Sequence, residues 1–159
     1  MVTVKTKIGG SMKVVSCIAV MCVCFSSMAV QVSEKLLNGI AIVESKNKDN
    51  AIGDSGKAVG RFQIHKEYVD EVNRICKIKK NGKSFIYTDR YDGKKSREMV
   101  KIYLEFWGKQ YEKVTGKKAN DAVLAKIHNG HVFWGKVKSK NVRYQNRVNA
   151  YWKKVQAAM

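Results

Sequence analysis

The stretch Glu34–His65, EKLLNGIAIVESKNKDNAIGDSGKAVGRFQIH, joins an amphipathic helical pattern to a glycine-rich loop. Ser33, directly before it, can cap a helix, and Glu34 puts a carboxylate in the first turn, where negative charge is favourable. Residues at spacings of three and four then share one helical face: Leu37, Ile40, Ala41 and Glu44. The spacing predicts a helix over 34–45 whose buried apolar face ends in a glutamate.

The position of Glu44 on an apolar face has two interpretations. Burial removes water from a carboxylate and raises its pKa, and the C-terminus of a helix also disfavours negative charge. A carboxylic acid that stays protonated near neutral pH is what general acid catalysis requires. Helical periodicity alone favours the simpler alternative, in which the glutamate turns outward at a frayed helix end.

The loop after Glu44 strengthens the catalytic interpretation. Gly53, Gly56 and Gly60 occur where the backbone has to bend sharply or approach another group closely. Gln63 follows between two apolar residues, and a buried glutamine needs partners that the hydroxyl and acetamide groups of a sugar could supply. A phosphate-binding loop is discarded, because the Gly-Lys-Ser/Thr ending and a preceding strand pattern are both missing.

The rest of the sequence predicts further helices and almost no sheet. Helical patterns cover 66–76, 95–114, 119–130 and 141–159, whereas 81–93 is typical of a loop or a short hairpin. Proline, the commonest helix breaker, is absent from the sequence. We therefore expect a mainly α fold, a compact helical domain of about five helices with little or no sheet.

Residues 1–29 have the layout of a secretory signal peptide: a lysine, an apolar run, and small residues at its end. A membrane anchor or a buried strand is the alternative, although the run is short for a bilayer span. We expect residues 30–159 to form one domain that is secreted or lies in the periplasm or cell envelope. Met12 is a second candidate for the start of the chain. Only Cys76 remains in 30–159, so no internal disulfide can form there, and Cys76 is expected in the core.

The chain is strongly basic. Three of its 31 Lys and Arg residues lie in 1–29, which leaves 28 against 13 Asp and Glu and a net charge of +15 for 30–159. Such a charge attracts polyanions, whether nucleic acid, anionic membranes or an anionic cell wall. A basic secreted protein that binds such a partner without catalysis is therefore an alternative, although no helical pattern shows a clean basic face opposite an apolar one.

Four short motifs in the same order resemble the soluble lytic transglycosylases. Glu44-Ser45 and GRFQ at 60–63 resemble the Glu-Ser and Gly-Leu-x-Gln parts of the family signature. LAKIHNG at 124–130 resembles its Ala-Tyr-Asn-Ala-Gly motif, and AYWKKV at 150–155 its Tyr-Val-x-Lys-Val motif. GDSG, ahead of GRFQ, also resembles the Gly-Asp loop of goose-type lysozymes. The resemblance implies a lysozyme-like domain over most of residues 30–159.

The resemblance also implies a chemistry, cleavage of the β-1,4 bond between N-acetylmuramic acid and N-acetylglucosamine without a cofactor. Glu44 would protonate the leaving oxygen and then take a proton from the 6-hydroxyl of the sugar, which closes an anhydro ring. The acetamido group can steady the cationic intermediate, so a second carboxylate is not required. The implied substrate-binding residues are Ser45, Gln63, Asn129 and Tyr151, the last hydrogen-bonded near Glu44.

Two residues depart from the family pattern and bear on the shape of the sugar cleft. Arg61 replaces a leucine, and His128 replaces a tyrosine. The expected partners are peptidoglycan glycan strands and the anionic wall surface, with no specific nucleic acid, and the protein is expected to be a monomer. A relative that only binds murein is a further alternative, although Glu44 is retained.

Hydrolysis by a goose-type-like lysozyme is the alternative reaction. An inverting hydrolase positions water with a second carboxylate, about 6.5–9.5 Å from the acid. Asp54 is the candidate, and it can equally be a turn residue that bonds its own backbone.

The histidines and Trp134 have no clear functional pattern in the sequence. A metal site at His65, His128 and His131 is not favoured, because no cysteine cluster joins them and His65 is distant in sequence. Trp134 can stack on a sugar ring or pack in the core.

Overall fold

The structure, a computed structural model, describes residues 29–130 and 142–159, and this part of the chain contains five α-helices. The helices are α1 Glu34–Ser45, α2 Lys66–Lys79, α3 Gly93–Thr115, α4 Asp121–Gly130 and α5 Val142–Ala157. Two short strands, β1 Ile52–Gly53 and β2 Ala58–Val59, form an antiparallel pair, and 3₁₀ turns occupy Asp54–Gly56 and Tyr87–Tyr91. The expected mainly helical domain with little sheet is confirmed.

Some of the segments predicted from the sequence lie within the described residues and others lie outside them. The segment 81–93 is a loop with one 3₁₀ turn rather than a hairpin. The proposed signal peptide, apart from Ala29, lies outside the described residues, and so do Met12, His131 and Trp134. Within the described ranges, every helix is too short or too polar to cross a membrane.

Helix α1 begins and ends where its sequence predicts. The Ser33 Oγ accepts a hydrogen bond from the backbone N–H of Leu36 at 3.1 Å, which caps the first turn. At the other end, Lys46 and Asn47 have positive φ angles of 55° and 62°, and their N–H groups bond back into the last turn of the helix. Glu44 therefore lies in the final turn of α1, beyond the buried Ile40.

The apolar core surrounds α1, which packs against α3, α4 and α5, while α2 packs against α3. Its largest fully buried side chains include Leu36, Leu37, Ile40, Phe62, Ile64, Ile75, Met99, Leu104 and Leu124. Cys76 is buried as expected. This packing brings α4 and α5 beside the C-terminal turn of α1, where Glu44 lies.

The loop between α1 and α2 folds back on itself in a tight turn. Val59 and Ile64 bond to each other across this turn, and Gly60 between them has a φ of +76°. A Cβ at Gly60 would overlap the backbone carbonyl oxygen of Arg90, so only glycine fits this close approach. The loop is thereby held against the 3₁₀ turn Tyr87–Tyr91.

Two arginines fix the loop in place. The buried Arg90 donates from Nη1 to the carbonyl oxygens of Lys57 at 3.1 Å and Ile64 at 3.0 Å. Arg61 forms a bidentate ion pair with Asp49, in which Nε donates to Oδ1 at 2.5 Å and Nη2 donates to Oδ2 at 2.8 Å. Arg61 therefore ties two parts of the same loop together.

Candidate active site

A cavity of about 280 Å³ lies between the last turn of α1, the loop of β1 and β2, and the helices α2 and α4. Its polar wall consists of Glu44, Asp54, Gln63, His65, Tyr68, His128 and Asn129. Its apolar wall consists of Ala58, Phe62 and Ile64. Segments that are far apart in sequence therefore contribute two carboxylates and two imidazoles to one site. Both types of side chain can donate or accept a proton.

Glu44 points into this cavity rather than outward from the helix end. Its Oε1 accepts a hydrogen bond of 2.7 Å from the Tyr151 hydroxyl, and its side chain is 20% exposed. Burial raises the pKa of Glu44 above its ordinary value, and the hydrogen bond from Tyr151 lowers it by a smaller amount. The structure therefore shifts Glu44 towards its protonated form, the direction that burial of this face predicted.

Tyr151 reaches Glu44 from α5. Burial is the largest cause that raises the pKa of Tyr151, and the neighbouring carboxyl of Glu44 raises it further. The phenol thus remains protonated and acts as a hydrogen-bond donor. A donor of this kind orients the carboxyl group and can stabilise the carboxylate that forms once Glu44 has given its proton away.

His128 lies on the other side of the carboxyl group. Its Nε2 is 3.7 Å from Glu44 Oε1, beyond hydrogen-bond length, and its side chain is 5% exposed. The ring also meets the face of Tyr68 edge-on, with centroids 5.9 Å apart. An imidazolium at this distance would favour the charged form of Glu44 and so oppose the effect of burial on its pKa, whereas a neutral imidazole would not.

Asp54 lines the same cavity from the loop, and it is far more exposed than Glu44, with 59% of its side chain accessible. The carboxylate is 3.4 Å from His65 Nε2. Asp54 also has a positive φ of 45°, and its carbonyl accepts from the N–H of Lys57. Asp54 is therefore both a turn residue and a carboxylate that faces the site, so the two interpretations of its sequence position are compatible.

Gln63 and Ser45 mainly hold the loop. The amide nitrogen of Gln63 donates to the carbonyl oxygens of Ala51 at 3.4 Å and Gly60 at 2.9 Å, although the side chain does line the cavity. The Ser45 hydroxyl donates to the carbonyl of Arg61 at 2.9 Å. Ser45 is not among the described residues of the cavity wall, so its expected contact with substrate has no support in this geometry.

Asn129 and Tyr68 both line the cavity, and each has one fully buried polar atom. The Asn129 Oδ1 and the Tyr68 hydroxyl have no hydrogen-bond partner among the described residues. A buried polar group left in this state costs about 1–3 kcal/mol. The motif that contains Asn129 implied a binding role for it, whereas Tyr68 has the helical spacing of a core residue and no sequence signal of the cavity.

A metal site finds no support in the described part of the chain. Within residues 29–130 and 142–159, no three His, Cys, Asp or Glu side chains form a metal-binding cluster. His65 and His128 both line the cavity, but each has a carboxylate of its own beside it.

No protein-family model, no curated protein and no solved structure matches this chain. The functional interpretation therefore rests on the residues and the geometry of the cavity.

Proposed function

We propose that this chain is a lysozyme-like enzyme that cleaves peptidoglycan at the β-1,4 bond between N-acetylmuramic acid and N-acetylglucosamine. The observation that carries the proposal is the carboxyl group of Glu44, which is largely buried, hydrogen-bonded by Tyr151, and directed into an open cavity. The resemblance of four ordered motifs to the soluble lytic transglycosylases supports it.

In the proposed reaction, Glu44 donates its proton to the glycosidic oxygen as the bond to the anomeric carbon breaks. The resulting carboxylate is stabilised by the hydrogen bond from Tyr151, which supplies a donor at 2.7 Å without rearrangement. Glu44 then accepts the proton of the sugar's own 6-hydroxyl as that oxygen bonds to the anomeric carbon. The product ends in an anhydro ring, and Glu44 is again protonated.

Hydrolysis is the second candidate, and one specific observation favours it. Asp54 faces the same cavity as Glu44 and is exposed enough to hold a water molecule, with His65 3.4 Å from its carboxylate. A water activated there would attack the anomeric carbon from the face opposite the acid and give a product with a reducing end.

The net charge of +15 on residues 30–159 fits a wall-bound enzyme, because peptidoglycan and its attached polymers are anionic. We propose that these glycan strands and the wall surface are its partners, that it works outside the cytoplasm as a monomer, and that it needs no cofactor. A basic protein that only binds polyanions would share the charge but would have no use for a largely buried glutamate with a raised pKa.

The test is the variant Glu44→Gln, which keeps the shape of the side chain and removes the acid. Clearing of a suspension of purified cell walls should fall by at least about a hundredfold, the lower end of the usual contribution of acid catalysis. Glu67→Gln is a matched control, because Glu67 is exposed on α2 and outside the cavity wall. Full activity in folded Glu44→Gln, or equal loss in both variants, would refute the proposal.

A further inference from the structure

The acidic residues of this chain end at Asp121, whereas its basic residues continue to Lys154. Residues 122–159 contain eight Lys and Arg and no Asp or Glu, so they carry +8 of the net charge of +15 on residues 30–159. Each of the helices α1 to α4 contains at least one Asp or Glu, and α5 contains none. A charge asymmetry of this kind indicates that the C-terminal part of the chain meets an anionic partner.

The basic side chains of α5 are exposed on the face that points away from the core. Val148, Tyr151 and Val155 are buried and form the inner face of the helix. The exposed cations of the helix are Arg143, Arg147, Lys153 and Lys154. The helical pattern of the sequence did not show this basic face, because a run of uncharged residues separates the two arginines from the two lysines.

The four cations of α5 are not paired with carboxylates of their own chain. Within residues 29–130 and 142–159, none of them forms an ion pair with an Asp or Glu. By contrast, Arg61, Arg74 and Arg97 each pair with a carboxylate. Arg90 donates to backbone carbonyls. The outer face of α5 therefore presents charged donors that the described structure does not use.

A surface depression of about 480 Å³ lies beside these cations on α5. It is lined by Asn146, Asn149, Ala150, Trp152 and Lys153. The amides of the two asparagines can both donate and accept hydrogen bonds, which matches the donor and acceptor of a peptide group, and the ammonium of Lys153 matches a carboxylate. Phosphodiester groups supply acceptors only and would leave the asparagine oxygens without a donor. The surface therefore fits an anionic peptide better than a polyphosphate chain.

We propose that the outer face of α5 binds the peptide stems of peptidoglycan through their carboxylates. The proposal rests on the proposed function for the identity of the polymer and adds the surface that holds it. The stems consist of peptide groups and carboxylates, which are the partners that the asparagine amides and the unpaired cations require. A bilayer surface does not fit, because the apolar residues of α5 are buried against the domain and cannot enter lipid.

The experiment measures how much of the full chain sediments with insoluble peptidoglycan, and it uses Glu44→Gln as the parent so that the polymer stays intact. The peptidoglycan is first stripped of its attached polymers. Half of it is then treated with carbodiimide and ammonia, which converts its carboxylates into amides. We expect the parent to bind the carboxylate form at least about fivefold more tightly than the amidated form.

A triple variant removes three of the four cations: Arg143→Gln, Lys153→Gln and Lys154→Gln. Arg147 is kept, because its guanidinium stacks on the Tyr144 ring at 5.3 Å from the centroid. Binding to the carboxylate form should weaken at least about fivefold, and binding to the amidated form should not weaken further, because the groups that the three cations contact are already neutral there.

The matched control removes the same net charge from another surface. It carries Lys77→Gln, Lys101→Gln and Lys109→Gln, three exposed lysines of α2 and α3 that form no ion pair within the described residues. Its binding should weaken by less than about twofold, because its cations lie on other helices. Both triple variants should melt at nearly the same temperature as the parent, since the replaced side chains are exposed.

Equal loss of binding in the two triple variants would overturn the proposal, because binding would then follow net charge and not this face. Unchanged binding after amidation would also overturn it. A loss in the α5 variant that appears with a DNA duplex but not with peptidoglycan would assign the face to nucleic acid instead. Wall clearing by the unsubstituted chain is measured in parallel. Clearing together with equal losses would remove this inference and leave the proposed function, whereas binding confined to α5 without clearing would do the reverse.

Discussion

A matched pair of glycine variants tests how the loop is held against the rest of the domain. Gly56 and Gly60 both have positive φ angles, of 90° and 76°, but their surroundings differ. A Cβ at Gly56 would meet no described atom within 4 Å, whereas one at Gly60 would overlap the carbonyl oxygen of Arg90. Alanine at either position therefore has the same kind of backbone strain, and only alanine at Gly60 has the steric conflict in addition.

The expected magnitudes follow from these contacts. Left-handed backbone costs a residue with a Cβ about 1–2 kcal/mol, which is the whole expected loss for Gly56→Ala. Gly60→Ala also pushes away the backbone of Arg90, whose guanidinium bonds the carbonyls of Lys57 and Ile64. Loss of one such charge-assisted bond adds about 1.5–3 kcal/mol, for a total of about 4 kcal/mol.

Thermal unfolding followed by circular dichroism measures the difference. For a domain of this size, 1 kcal/mol corresponds to about 4 °C in Tm, so we expect losses of about 4–8 °C for Gly56→Ala and about 15 °C for Gly60→Ala. Wall clearing below both transitions should fall more in Gly60→Ala, because Gln63 and Asp54 lie in the same loop. Equal losses of Tm in the two variants would refute the argument from Arg90.

Three further predictions concern the chemistry and the charge. Burial raises the pKa of Glu44 in the folded state, so we expect the rate of the proposed acid catalysis to be highest below that pKa and to fall as the pH rises through it. The contribution of Glu44 to the free energy of unfolding also falls as the pH rises through this pKa, because the folded state then binds more protons than the unfolded state. Tyr151→Phe removes the interaction that lowers this pKa, so the alkaline limb of the pH–rate profile should move to higher pH; an unmoved or acid-shifted limb would contradict the assignment. Binding to cell walls in a sedimentation assay should weaken as the salt concentration rises to several hundred millimolar, since the Debye length is already only about 10 Å at 0.1 M. Binding that is independent of salt concentration would exclude recruitment by charge. Mass spectrometry of digested peptidoglycan should find products lighter by one water than hydrolysis products, with Asp54→Asn nearly as active as its parent; reducing-end products and a large loss in Asp54→Asn would establish hydrolysis instead.

The sequence was sufficient for those features that depend on local patterns. Helix α1 was predicted over 34–45, with Ser33 as its cap, because the cap, the 3.6-residue period and the polar loop that follows all agree on it. The sequence could not predict whether the Glu44 side chain points inward, because periodicity alone does not distinguish a buried residue from one at a frayed helix end. The hydrogen bond from Tyr151 decides between the two.

The features that the sequence did not predict depend on contacts between distant segments. Arg90 lies in a stretch without periodicity, and its role becomes visible only where it meets the carbonyls of Lys57 and Ile64. Tyr68 has the spacing of an ordinary core residue on α2, and only the cavity distinguishes it. The motif position of Ser45 suggested contact with substrate, but its hydroxyl bonds the backbone of the loop.

The hydrogen bond between Tyr151 and Glu44 joins residues 107 positions apart in the chain. Closing a loop of this length has an entropic cost, which the packing of the segments between the two residues helps to offset. A nascent chain that has not yet reached α5 holds Glu44 without its donor. The hydrogen-bonded form of Glu44 therefore exists only once the C-terminal helix has docked against α1.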